Sequence, residues 1–325
     1  MKILRLGDPH VKISNLEESE RLLKFVLDTA LERKIDRLEI LGDLYDTHSI
    51  IRLEVMEFWD RWLHILAKQS FNTVVLVGNH DISGNYSTTY SSLSPFRDLD
   101  IVVYEPEVTG PFGYLPYIHD RDEFIKEANN LANLGARFLV SHNTYEGSKY
   151  DNGMYAPDGV DPDLVDGRIH TLLSGHVHTE QEFGRVVYPG TARWSTQSDA
   201  NKRKGLHLFT HDKSTGAILD REFISTAGVC VPIISIEYRE GGESLPNFPD
   251  NGRINVHLVG SSDWIAKTKL ELKGTCSITT KITDSKKSKE RKSGRSLHEF
   301  LTNHYQAEPA KKSQLLKYME GLSLV

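Results

Sequence analysis

The sequence predicts an α/β fold with covered sheet faces. Three observations predict it. Short apolar runs of strand length recur through the first half of the chain, helical apolar patterns separate the first three, and residues of metal-binding type follow each run directly.

In order, "KILRL" (2–6), "RLEIL" (37–41), "TVVLV" (73–77), "RFLV" (137–140) and "IHTLL" (169–173) read as buried strands. Between the first two, "LEESERLLKFVLDTALERK" (16–34) places Leu22, Leu23, Val26, Leu27 and Ala30 on one helical face. "IIRLEVMEFWDRWLHILAKQ" (50–69) is helical too, but more apolar than one face requires. Such a helix must be covered on every side, by the core or by a second copy of the chain. From about residue 186 the texture changes. "RVVYPGTARWST", "KGLHLFTH" and "AILDREFIS" read as short strands, expected to form a second sheet packed on the first. Residues 231–238, 252–260 and 276–283 read as strands and 262–272 as a helix, together a small α+β appendage.

"SKKSKERKSGR" (285–295) carries six basic residues against one acidic and nothing apolar, the pattern of a linker or an exposed basic arm. The tail after it reads as two short amphipathic helices parted at Pro309. Its apolar residues Leu297, Phe300, Leu301, Leu315 and Leu316 are candidates for docking on a partner. The expected division is a main domain over 1–228, a small capping domain over 229–284, a basic linker over 285–296 and a helical tail over 297–325.

A chain of 325 residues can bury a sizeable core. The net charge of −6 neither suggests nor excludes a nucleic-acid partner, because local charge can depart from the average. The N-terminus lacks the pattern of a signal peptide, and no apolar run approaches the ~18 residues of a membrane helix, so a cytoplasmic setting with no membrane is expected. Cys230 and Cys276 are too few for a disulfide framework or a thiolate metal site.

The turns after the strands carry the chemistry. They hold Asp8 and His10, Asp43, Asn79 with His80 and Asp81, His142, and His176 with His178. In open α/β sheets ligands bind beyond the carboxyl ends of strands. Asp8, His10, Asp43, Asn79, His142, His176 and His178 are too many for one tetrahedral ion and suit two ions sharing a carboxylate. Imidazole, carboxylate and amide oxygen together fit Mn, Fe or Zn better than Mg or Ca. A coherent arrangement puts Asp8, His10 and His178 on one ion and Asn79, His142 and His176 on the other, with Asp43 between them. Two divalent ions outweigh two aspartates in charge, so the site attracts a phosphodiester. Such ions lower the pKa of water to about 7, giving hydroxide for in-line attack at phosphorus. His80 is expected not to be a ligand but to stabilise the transition state or protonate the leaving oxygen, oriented by Asp81.

"GDPH", "GDLYD", "GNHD", "SHNTYEG" and "GHVH", in this order over residues 7 to 178, resemble the five motifs of calcineurin-like metallophosphoesterases. The spacing and "GDLYDT" look more like one branch, the SbcD-type nuclease subunits that work with an SbcC-type ATPase. "YPGTARWS" and the following small domain also fit it. The resemblance implies a two-layer β-sandwich core flanked by helices, with a small α+β capping domain and a helical C-terminal tail. It implies two manganese ions and 3′ to 5′ exonuclease and single-strand endonuclease activity on DNA. It also implies a coiled-coil ATPase partner and a homodimer through helices near residues 50–69. Position by position it carries over the same seven ligands and the catalytic role of His80. Asp46 stands where archaeal members have a histidine, as it does in bacterial members. His48, two residues on, reads as a surface residue. Lys202, Arg203 and Lys204, in "NKRKG", are candidate DNA contacts. Two other readings stay open: a phosphoesterase for small phosphodiesters or monoesters, and a non-catalytic scaffold.

Overall fold

Alternation along the strands sets the architecture. In β1 (Lys2–Leu6), Leu4 and Leu6 pack towards helices, whereas Ile3 packs into a core between two sheets. The structure, a computed structural model, describes residues 1–48, 50–84, 91–150, 152–242 and 252–283. β2 (Arg37–Ile40), β3 (Asn72–Leu76) and β4 (Val102–Val103) line up parallel to β1. α1 (Leu16–Arg33) and α2 (Leu53–Ala67) make the crossovers. α1 buries Leu22, Leu23, Val26 and Ala30, with Leu27 half-buried, as its spacing predicts. α2 buries Val55, Phe58, Trp59, Trp62, Leu63 and Leu66 on one face and exposes Glu54, Glu57, Asp60 and Arg61. It is therefore amphipathic and not apolar all round. The excess came from Ile50 and Ile51, which precede it, and Leu53 at its start, all exposed.

The second sheet holds β5 (Glu107–Thr109), β6 (Phe112–Leu115), β7 (Phe138–Ser141), β8 (Thr171–Ser174), β9 (Gln181–Phe183) and β10 (Val186–Tyr188), in the order β5-β6-β7-β8-β10-β9. β6, β7, β8 and β10 run parallel, and the two edge strands run antiparallel to their neighbours. α3 (Arg121–Asn133) covers the outer face with Phe124, Ala128, Leu131 and Ala132. β11 (Gly205–His211) and β12 (Ile218–Ser225) then return to the first sheet, β11 antiparallel to β1, giving β12-β11-β1-β2-β3-β4. This corrects the partition read from the sequence. β7 and β8 belong to the second sheet because they pair onto β6, and the strands after residue 204 fill the open edge of β1. The layers are helix, sheet, sheet, helix, with Leu41, Leu76, Phe112, Phe138, Val140 and Leu173 between the sheets.

β13 (Ile233–Arg239), β14 (Arg253–Gly260) and β15 (Ser277–Ile282) form a three-stranded sheet in that order, and α4 (Ser262–Glu271) follows β14. By contacts the chain divides into a first unit, mainly Met1–Ile236, and a second around Glu237–Glu243 and His257–Lys273. Within the second, the Ser261 hydroxyl caps α4 by accepting from Trp264 N, and the Trp264 ring lies 5.2 Å from that of Tyr238. The basic segment 285–296 and the tail with Leu297, Phe300, Leu301, Leu315 and Leu316 lie outside the described residues. Among the described residues no helix is long and apolar enough to cross a membrane.

Polar side chains also sit between the sheets. Arg5 donates to Glu39 at 2.7 Å, and the Tyr114 hydroxyl donates to the same carboxylate at 2.6 Å. Arg5 Nη1 also donates to His211 Nε2 (2.9 Å), while His211 Nδ1 donates to Gly216 O (2.8 Å). Those two bonds define a neutral imidazole, since a second N–H would face a guanidinium. Burial, then Arg5, pushes the His211 pKa down to about 3, from about 6.5 in an unfolded chain. Between those values the folded state binds fewer protons. The stability owed to neutral His211 is complete above about pH 6.5 and lost as pH falls towards 3. Denaturation midpoints measured over this range should fall with pH, and His211→Gln should flatten the slope. An unchanged slope in the variant would assign the acid sensitivity elsewhere.

Candidate active site

Five strand ends converge where the two sheets meet. The turns after β1, β2 and β3 deliver Asp8 and His10, Asp43, and Asn79 with His80. The turns after β7 and β8 deliver His142, and His176 with His178. Several of these residues hold unusual backbone conformations. Asp8, His10, Asp43 and His176 have φ of 28°, 42°, 51° and 72°. Left-handed backbone at a non-glycine residue costs on the order of 1–3 kcal/mol and persists where surrounding structure enforces it. Gly175 shows how tight the approach is. A Cβ there would stand 2.5 Å from Leu41 O and 2.7 Å from the Asp8 carboxylate.

The seven donors form two groups, and a third set, His10, Asp43 and His80, overlaps both. Asp8, His10 and His178 are one, with His10 Nε2 3.0 Å from His178 Nε2. Asp43, His142 and His176 are the other. Asn79 Oδ1 joins the second group, 2.8 Å from His176 Nδ1 and 3.1 Å from His142 Nε2. Asp43 Oδ2 lies between the groups, 3.3 Å from His142 Nε2 and 3.6 Å from His10 Nε2. All seven residues singled out in the sequence are brought together in this way. Asp8 Oδ1 and His10 Nδ1 are buried and have no hydrogen-bond partner in the structure. Buried, unsatisfied donors of mixed imidazole, carboxylate and amide type fit divalent cations.

The surroundings tune them. His142 Nδ1 donates to Leu41 O at 2.5 Å, which turns Nε2 towards Asp43 and Asn79. Burial brings His10 and His176 down to about 3, so both are neutral, the form that ligates metal. Burial alone would lower His142 as well, but Asp43 and Asp8 outweigh it and push it up to about 10. Asp43 is held well below the carboxylate range, because His142, His10 and His80 overcome its burial.

His80 stands at the edge of the cluster. Its backbone N donates to Asp43 Oδ1 (2.8 Å), and its ring Nδ1 donates to Asp46 O (2.8 Å). The ring stacks on His48 with centroids 4.0 Å apart, and His48 Nδ1 donates to Asn79 O. Asp46 and His48 thus orient His80, a role the sequence did not reveal. Asp81, expected to do so, instead accepts from Leu44 N, Tyr45 N and Gly78 N and pins the Asp43 turn to the end of β3. Burial, then Asp43, raises its pKa to about 7.

The three candidate DNA contacts separate. Arg203 is exposed and grips Glu180 with two bonds of 2.6 and 2.7 Å. Lys202 is half-buried, with Nζ on Thr179 Oγ1. Lys204 is 2% exposed and paired with Asp199, so it is not presented to a ligand in solvent. A cavity of about 510 Å³ is lined by Thr179 to Glu182, Lys202 to Lys204 and Arg221. A smaller one, about 270 Å³, joins Tyr150, Asn152 and Ser198 to His176 and His178. Tyr117 stacks on His176 at 6.0 Å. Tyr150, Asn152, Ser198 and Tyr117 carried no signal in the sequence, because ordinary loop residues reach the site only through the fold.

Calorimetric titration of the metal-free protein with Mn²⁺ should resolve two ions per chain. Asp8→Asn should weaken one of them by on the order of 10-fold or more, while Asp43→Asn should weaken both. Equal weakening of both by Asp8→Asn would contradict the two-group arrangement.

The sequence profile of the calcineurin-like phosphoesterases matches residues 1–180. A candidate phosphoesterase, 244L of Invertebrate iridescent virus 6, is 26% identical over 227 residues, spanning 66% of this chain and 78% of its own. Another, 078R of Invertebrate iridescent virus 3, is 26% identical over 204 residues, spanning 59% of this chain and 57% of its own. Among solved structures, the phosphoesterase Yfce from E. coli aligns over 69% of this chain and 100% of its own. The identity is 13% and the TM-score 0.30, a likeness too low to carry weight. The profile match takes in all five strand-end turns that build the site, and the chain belongs to the calcineurin-like phosphoesterase family.

Proposed function

We propose that this phosphoesterase is a DNA nuclease of the SbcD type that works with two Mn²⁺ ions, cutting 3′ to 5′ from ends and within single strands. The observation that carries the reading is a charged groove. Its lining starts at Thr179, one residue past His178 in the chain, and includes Lys202, Arg203 and Arg221 beside Glu180 and Glu182. A small phosphomonoester needs no such extension, whereas a polynucleotide carries phosphates on both sides of the cut. The neighbouring cavity by Tyr150, Asn152 and Ser198 offers room for a sugar or base beside the cluster. In this reading the chain pairs with a second copy through the exposed Ile50, Ile51 and Leu53 and serves a coiled-coil ATPase in the cytoplasm.

Asp8, His10 and His178 would hold one ion, Asn79, His142 and His176 the other, with Asp43 facing both. Such a pair lowers the pKa of water to about 7 and draws charge from phosphoryl oxygens. The chain supplies the rest. Leu41 O and Asp81 keep His142 and the Asp43 turn in place. His80 has its Nδ1 committed to Asp46 O, so Nε2 is the atom that carries a proton to the leaving oxygen. Positioned acid help of this kind contributes ~10²–10⁴-fold.

A second reading, a phosphoesterase for small substrates, draws on Glu180 and Glu182. They pair with Arg203 and Arg221 and leave the groove's charge largely matched. The deciding assay incubates the purified protein and Mn²⁺ with end-labelled single-stranded DNA, linear duplex and a chromogenic phosphodiester. DNA should be cut from its 3′ end, and His80→Ala should lower the rate ~10²–10⁴-fold. Cleavage of the small diester with DNA left intact would establish the second reading. Metal binding without any cleavage would make the chain a scaffold.

A further inference from the structure

Two buried cations lie behind the turns that carry the candidate ligands, and the chemistry above uses neither. Lys204 Nζ donates to His178 O at 2.8 Å and to Thr191 Oγ1 at 2.8 Å, and it pairs with Asp199 Oδ1 at 2.5 Å. Arg193, 1% exposed, donates from Nη1 to Pro9 O at 3.3 Å and from Nη2 to Ser19 Oγ at 3.0 Å, and it pairs with Glu18 at 3.2 Å. Pro9 sits between Asp8 and His10. The two cations therefore hold the backbone beside Asp8 and His10 and the carbonyl of His178 itself.

One stretch of chain joins these contacts. Thr191 N donates to His178 O at 3.1 Å, and Thr191 Oγ1, which accepts from Lys204, donates to Arg193 O at 3.0 Å. Gly190 packs against Gly7 so closely that a Cβ on Gly7 would stand 2.0 Å from Gly190 O. Residues 188–193 thus pass behind both turns and bind them together. In the second group of donors His176 N donates to Asp8 Oδ2 at 2.7 Å, and the rest has other supports. His142 rests on Leu41 O, and Asp43 is fixed by His80 N and by the Asp81 carboxylate on its turn.

We propose that Lys204 and Arg193 are positioning residues for one metal ion only, the one that Asp8, His10 and His178 would hold. The inference rests on the two-ion site proposed above and adds an asymmetry to it. Both ion positions are built by strand ends, and residues 188–204 close only one of them. Charge fits this role. Asp199 Oδ2 accepts from Ser195 N and Thr196 N at 2.9 Å each, leaving Oδ1 for Lys204, so the ammonium is matched within the protein. Outer partners that orient metal ligands commonly change metal affinity by ~10–100-fold when removed.

The experiment removes the ammonium without stranding its carboxylate, in Lys204→Met/Asp199→Asn, because an unpaired buried charge destabilises a fold by itself. Thr191→Val is a milder second variant that keeps the side chain's shape and deletes the hydroxyl link. Mn²⁺ binding is followed by calorimetry and by electron paramagnetic resonance, with metal-free thermal midpoints alongside. The double variant should keep a midpoint near the parent's, bind one ion as the parent does and bind the other ~10–100-fold more weakly. Thr191→Val should weaken the same ion by less. If the double variant fails to fold, Thr191→Val decides. Unchanged binding of both ions, or equal weakening of both, would overturn the positioning role while leaving the two-ion site standing. A parent protein that binds no Mn²⁺ would overturn the site itself.

Discussion

Seven donor side chains face one another in a space walled by two β-sheets, and much of the fold answers to that crowding. Asp8, Asp43 and four imidazoles pack closely there, with Asp8 Oδ1 and His10 Nδ1 left without partners, a donor set suited to divalent ions. The site needs strand ends from both sheets, so the sheets must stack with β1, β2 and β3 finishing opposite β7 and β8. The apolar layer between them, with Leu41, Leu76, Phe138 and Leu173, fixes that register. Four of the donors sit in left-handed backbone. The strain is the local consequence of turning sharply out of a strand and aiming a side chain back at the neighbouring strand's end.

Around the donors, backbone groups do most of the orienting. Leu41 O orients the His142 ring, and Asp46 O fixes the His80 ring. Asp81 collects three backbone N–H groups from two turns. Turn conformation and ligand geometry are thus one property. A substitution that shifts the Asp43 turn moves a carboxylate that faces both donor groups.

The donors were legible in the sequence because metal-binding residue types recur immediately after apolar runs, a signal that needs no knowledge of strand order. β1 was read to the residue, and α1 to within one, because their apolar spacing is clean. α3 went unread, although its signal is present. Asp120 caps it, and Phe124, Ala128 and Leu131 recur at helical spacing. Strand partners were harder, since nothing local in "RFLV" or "KGLHLFTH" says which sheet each joins. Pairing to β6 and to β1 decides that at long range. The same limit explains Lys204. Beside Lys202 and Arg203 it reads as a third surface cation, and only the fold places Asp199 and His178 O around its ammonium. Asp46 and His48 were visible as residues, but their contact with His80 depends on where the turn after β3 comes to rest.

The pairing of β1 with β11 has a consequence for how the chain is made. Lys2 lies opposite Thr210, so the first strand synthesised completes its pairing only after some two hundred further residues have emerged. At about 5–20 residues per second, that edge of β1 stays unpaired for roughly 10–40 s. An open strand edge is a template for wrong partners, and contacts this distant in sequence form slowly. Residues 188–204 leave the ribosome just before β11 does, so the turns that bear Asp8 and His178 can be drawn together only as the sheet closes. Assembly of the donor cluster is therefore tied to one of the last steps in folding the main unit, and a chain stalled before residue 205 would carry all seven donors without the geometry that makes them a site.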